Sequence, residues 1–145
     1  MTKKTLSKNK GFTLVELIVV LVILAILAAI LVPTLLGYID KARSEKDFAT
    51  AQSVRVATQA QIDELYGKGD NKVEAGDINA DAKKAIFKLV GADSDDKIDG
   101  QKIDISAITI TNNQITEITV QIGDKYYKYT SSNNTWAATT APTTT

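Results

Sequence analysis

Among its 145 residues the sequence has no cysteine and no histidine. Without cysteine no disulfide staples the fold, so an exported domain must hold by packing alone. The two absences also exclude zinc sites built on Cys and His, Ser-His-Asp triads and Cys-His pairs. No paired carboxylates mark a cleft, so an enzyme has little support and no cofactor is implied. Neither sign of charge dominates, since 17 basic residues stand against 17 acidic ones. Nucleic-acid binding is not evident in such a balance. Proline occurs only twice and tryptophan once.

What the sequence does have is one long apolar run. From Leu17 to Val32 every side chain is Leu, Ile, Val or Ala. Extended to Phe12 and Leu36, the run admits only Thr13, Glu16, Pro33 and Thr34 as exceptions. A helix over 12–36 spans roughly 37 Å. That is enough to cross a hydrocarbon core of about 30 Å. It has no polar face, so it is not the surface helix of a soluble monomer. Lys3, Lys4, Lys8 and Lys10 precede it with no acid among them. By the positive-inside rule the first residues stay cytoplasmic. Glu16 lies inside the run, where an ionised carboxylate costs roughly 2.5 kcal/mol or more.

Two ordinary readings compete. A secretory signal has a shorter apolar stretch and a small-residue cleavage site, and Ala28 to Pro33 is a poor exit. A plain membrane anchor explains length and orientation but leaves Glu16 without a reason.

The stretch Gly11-Phe12-Thr13-Leu14-Val15-Glu16, with the apolar run and Pro33 behind it, resembles the processing motif of type IV pilins and pseudopilins. The resemblance is close over Lys8 to Leu36. It implies a prepilin peptidase that cuts between Gly11 and Phe12, then N-methylates Phe12. It implies a mature chain from Phe12, carrying thirteen basic and seventeen acidic residues, or −4. It implies a structural homo-oligomer, a helical filament, driven by an assembly platform and ATPase and held in the cytoplasmic membrane beforehand. The surface pilus would serve adhesion, motility or DNA uptake. In that filament Glu16 meets the Phe12 ammonium of a neighbour, and it adds register more than net stability because both ions must be desolvated. Pro33 supplies no amide hydrogen and clashes with the Ala29 carbonyl, so it ends or kinks the helix. The resemblance adds that the helix loosens there in the filament. The absent cysteines lean toward a bacterial source of the Gram-positive kind. A pseudopilin of a type II secretion or competence system is the alternative within the class. A membrane-anchored adhesin, which needs neither cleavage nor polymer, is the rival outside it.

The rest of the chain yields a domain plan. Residues 1–11 are a leader, 12–36 the membrane and assembly helix, 37–136 a globular domain and 137–145 a Thr-rich tail. The helix continues to about residue 66, with Gly67 as its stop. Ala42, Ala49, Ser53, Val56, Ala57 and Ala60 form one small-residue stripe at helical spacing that would let a sheet approach. Lys41, Arg43, Glu45, Lys46 and Asp47 surround its start with charge. A short helix is expected over 81–89, with Ala82, Ala85, Ile86 and Leu89 on one face and Gly91 ending it. Asp93 to Gly100 has the alternation of a calcium loop. Lys97 and Ser106 fall where ligands belong, which favours a solvated acidic turn. From Lys102 the pattern becomes β. Asn112-Asn113 and Gly123-Asp124 read as tight turns, with a bulge near Thr116-Glu117. Val120 should pair with Tyr127, Ile118 with Tyr129 and Tyr129 with Trp136. The aromatics are read as packing before a sugar platform. Asn133-Asn134-Thr135 matches a glycosylation sequon, and the Thr-rich tail could accept O-linked sugar. The fold expected is α+β: a long helix on an antiparallel sheet of three or four strands.

Overall fold

The computed structural model describes residues 11–69, 72–94 and 96–142. The leader up to residue 10 and Thr143 to Thr145 of the tail lie outside the described residues. The chain divides into two compact units, one up to Ala42 and one from Arg43 onward. Helix α1, Leu14–Gly67, contributes to both. It ends at Gly67, the expected stop, one residue beyond the expected last helical residue. Gly69, at φ +115°, takes the left-handed position and donates its N–H to the Tyr66 carbonyl. In the first unit every described residue is exposed.

The second unit carries a five-stranded antiparallel sheet in the order β1-β2-β3-β4-β5. The strands are β1, Lys97–Ile98, β2, Gln101–Thr111, β3, Gln114–Ile122, β4, Lys125–Thr130, and β5, Thr135–Thr139. The α+β class is as expected, with one strand more. The extra strand is β1, which forms inside the stretch read as an acidic turn. Asp99 and Gly100 both have positive φ and close β1 onto β2 as a tight hairpin.

The three cross-strand pairs expected on the core face are all present. So are both two-residue turns, with Asn112 at φ 52°, Asn113 at 61° and Gly123 at 58°. Thr116 is the extra residue between the Thr109–Glu117 and Ile110–Ile115 pairs. It brings Ile115 onto the buried face with Ile118. A second bulge, at Ser106, lies between the Ile105–Val120 and Ala107–Thr119 pairs. It was legible in the sequence as a change of parity, from Ile103 and Ile105 to Ile108 and Ile110.

The stripe of α1 that faces the sheet is not the small-residue one. Asp47, Ala51, Val54, Ala57, Thr58, Gln61 and Ile62 are buried. Ala42, Ala49, Ser53, Val56 and Ala60 are exposed. Of the expected stripe only Ala57 faces inward. The reason is polar. Asp47 accepts from the Tyr127 hydroxyl at 2.8 Å, and Gln52 accepts from Trp136 Nε1 at 2.8 Å. Gln59 donates to the Asn113 carbonyl at 2.8 Å and accepts from Ile115 N–H at 3.1 Å. These three side chains fix the rotation of the helix over β4, β5 and the β2–β3 turn. Arg55 stacks on the Tyr129 ring at 4.3 Å and donates from Nε to Gln52 Oε1 at 3.3 Å.

Helix α2, Ala80–Leu89, starts at Asn79, whose side chain accepts from the N–H groups of Asp81 and Ala82. Its buried residues are Ile86 and Phe87, whereas Ala85 and Leu89 are exposed. Lys83 sets this rotation by reaching Asp104 Oδ1 at 2.9 Å and the Ile105 carbonyl at 2.7 Å. Gly91, at φ +81°, ends the helix as expected.

Burial and the hydrogen bond to Asp47 push the Tyr127 hydroxyl up to about 12 from its ordinary 10. In the unfolded chain it ionises near 10. The stabilisation is therefore whole below pH 10 and drains away as pH rises from 10 to 12. Denaturant midpoints of the full chain in detergent should fall over that window, and Tyr127→Phe should lack this component. Parallel loss in both proteins would refute the assignment.

Candidate functional site

The site is built at the start of α1. Phe12 is 79% exposed, and Gly11 and Thr13 precede the first helical residue, Leu14. Four N–H groups at a helix start lack partners within the helix. Here Thr13 sits at the cap and Glu16 at the third helical position. Glu16 N–H donates to Thr13 Oγ1 at 3.2 Å. Thr13 N–H and the Thr13 hydroxyl each donate to Glu16 Oε2 at 2.9 Å. This is a capping box, in which two residues satisfy each other's polar groups.

The box supplies what the sequence reading lacked, a partner for Glu16 within its own chain. Two donors and the positive end of the helix compensate a carboxylate among apolar side chains. The structure brings Glu16 to Thr13, not to Phe12. Thr13 was missed as a functional residue, although Thr followed three positions later by Glu is a readable signal.

Pro33 lies inside α1 and the helix runs through it, so this proline ends no helix. It leaves the Ala29 carbonyl without its usual donor. Next to it the Thr34 hydroxyl donates to the Ile30 carbonyl at 3.3 Å. From Phe12 to Leu36 every side chain is exposed, and α1 is long and apolar enough to cross a membrane.

The other expected features fall elsewhere. Asp93 Oδ1 accepts from Lys97 N–H at 2.9 Å, and Asp99 pairs with Lys46. Asp95 is outside the described residues. Among the described residues no three His, Cys, Asp or Glu side chains group as metal ligands. Tyr127 and Tyr129 are core, and Trp136 is half-buried against Tyr129 with ring centroids 5.5 Å apart. Asn133 of the sequon is exposed in the β4–β5 turn.

Residues 6–32 match the family model of the prokaryotic N-terminal methylation motif. That motif is the signature of type IV pilins and pseudopilins, and it implies processing by a prepilin peptidase and assembly into a pilus-like polymer. No curated protein and no solved structure matches the chain. Nothing in these comparisons supports a Gram-positive source in particular.

Proposed function

We propose that this pilin-like chain is the structural subunit of a type IV pilus filament and is not an enzyme. The single observation that carries the reading is the exposed apolar stretch of residues 12–36, whose helix starts at the Thr13–Glu16 box within the methylation motif. In this reading residues 1–11 are the leader removed between Gly11 and Phe12, and Phe12 is then N-methylated. Residues 12–36 are the membrane and assembly helix, 37–136 the globular domain and 137–145 the tail.

The energetics favour a polymer once the subunit leaves lipid. Burying apolar surface gains about 25 cal/mol per Å². A run of Leu, Ile, Val and Ala exposed all round offers far more of it than one ion pair returns after desolvation. The exposed small-residue face of α1 also supports the reading. Ser53, Val56 and Ala60 line an open groove with Leu89, which is 65% exposed. Small residues there admit a neighbouring helix closely. In the membrane Glu16 is held by Thr13. In the polymer the Phe12 ammonium of a neighbour takes over as its partner, and the stagger of subunits is set by that exchange.

The test is the intact mass of the chain in a filament fraction sheared from cells. Abundant chains of residues 12–145 with one extra methyl would establish a major pilin. The same chain confined to the membrane would favour a pseudopilin, which shares the motif. A chain still bearing Met1 to Gly11 would overturn the processing and bring the anchored adhesin forward. Adhesion, motility and DNA uptake are then separated by phenotype.

A further inference from the structure

The two edges of the sheet are treated differently. On the β2 side the fold protects the edge from Gln101 to Ile105. β1 pairs with Gln101 and Lys102, Ile103 N–H donates to the Asp96 carbonyl, and Lys83 covers the Ile105 carbonyl. On the other side β5 has no strand beyond it among the described residues. Natural edges are blunted by charge, bulges or covering elements. Among the described residues β5 has no charge, no bulge and no strand covering it. It pairs with β4 without a register shift, and no charged side chain follows Lys128 in the sequence. Lys128 itself is paired with Glu117 at 3.0 Å. The described residues of the tail lie elsewhere. Thr140, Ala141 and Pro142 line a cleft on the outer face of the sheet with Thr109, Glu117 and Lys128.

The sequence of the edge is self-complementary. In an antiparallel pair of two β5 strands centred on Ala137, Thr135 lies opposite Thr139 and Trp136 opposite Ala138. Ala137 then lies opposite itself. Thr–Thr pairs across strands are favourable, and a small residue opposite Trp136 leaves room for the indole. With no charge on the strand, two copies meet without repulsion.

We infer that β5 is an interaction surface whose partner is the β5 of a second copy, and that it joins filaments side by side. Five residues of strand cover much less than the roughly 1,200–2,000 Å² of a stable interface. Isolated subunits therefore do not pair through it. A filament repeats the edge along its length, and linked weak contacts gain about 10²–10⁴ in avidity. Bundling thus follows polymerisation, and the inference rests on the filament reading above.

The experiment uses filaments of the full chain carrying Ala137→Lys or Ala137→Glu. Ala137 is exposed on the solvent face, so neither change disturbs the core. Electron microscopy should show wild-type filaments in bundles and each variant as single filaments, because like charges then face each other across the pair. Mixing the two variant filaments should restore bundles, now joining opposite charges. Wild-type filaments that stay single, variants that bundle as well as wild type, or mixing that restores nothing would each overturn the edge pairing alone. A preparation without any filaments would instead overturn the polymer reading, and the bundling with it.

Discussion

Glu16→Ala chains should be cleaved after Gly11 and methylated at Phe12, yet leave the sheared filament fraction almost empty. In the polymer proposed above, the substitution would leave a neighbour's Phe12 ammonium buried without a partner. Breaking a buried pair from one side costs about 3–5 kcal/mol. At about 1.4 kcal/mol per tenfold, each addition is weakened by a hundredfold or more. Two further variants separate the roles of Glu16. Thr13→Val removes the cap hydroxyl but keeps the Thr13 backbone donor and the charge. It should cost about 1 kcal/mol, as loss of a cap does, and leave filaments at reduced yield. Glu16→Gln keeps an acceptor for the cap but carries no charge. If Glu16→Gln restored filaments, the carboxylate would serve only to cap its own helix, and the role in register would be lost. Filament yield against processed chain, both read by mass, decides among these.

Val54→Ala and Val56→Ala should differ sharply, though they remove the same atoms two positions apart on α1. Val54 is fully buried in the core, whereas Val56 is 55% exposed. Removing two buried methyl groups and leaving the cavity should cost about 2 kcal/mol. For a unit of this size that lowers the melting midpoint by roughly 10 °C. Val56→Ala should change stability by no more than about 0.5 kcal/mol, and alanine's better helix propensity favours it slightly. Thermal unfolding of the full chain in detergent measures both. Equal losses would mean that the helix is rotated otherwise, with the small-residue stripe against the sheet. The same Val56 variant should reveal itself only in filaments, if its face meets a neighbour there as proposed.

Much of the sheet was legible because its signals are local. The alternation of Ile118, Val120 and Ile122, the Asn112-Asn113 and Gly123-Asp124 turns, and the parity misfit at Ile115 together placed β3, β4 and the Thr116 bulge. The Ser106 bulge carried an equal signal. β1 did not, since two residues show no alternation and exist as strand only because the Asp99-Gly100 turn folds them onto β2. The capping box at Thr13 and Glu16 was readable by spacing, but the exception of Glu16 drew attention to a neighbour's ammonium before its own chain.

The sequence by itself determined how the start of the chain is read. An apolar run without a polar face, a basic stretch before it and Gly11-Phe12 with Glu16 behind need no tertiary contact to carry the methylation motif and a helix long enough to cross a membrane, because hydrophobicity, charge and spacing act along the chain. It also determined the register of β3, β4 and β5, which follows from turn chemistry and period. Only the tertiary structure decided which face of α1 is inside. Hydrophobic periodicity counted Val56 and the alanines inward and the polar residues outward. Asp47 and Gln61 are buried all the same, and Gln52 and Gln59 face the sheet. Asp47 has Tyr127 for a partner, Gln52 has Trp136, and Gln59 has the β2–β3 turn. A buried polar group is stable only beside such partners, and these lie more than fifty residues away along the chain. The rotation they impose leaves the small-residue face of the helix open to a neighbour.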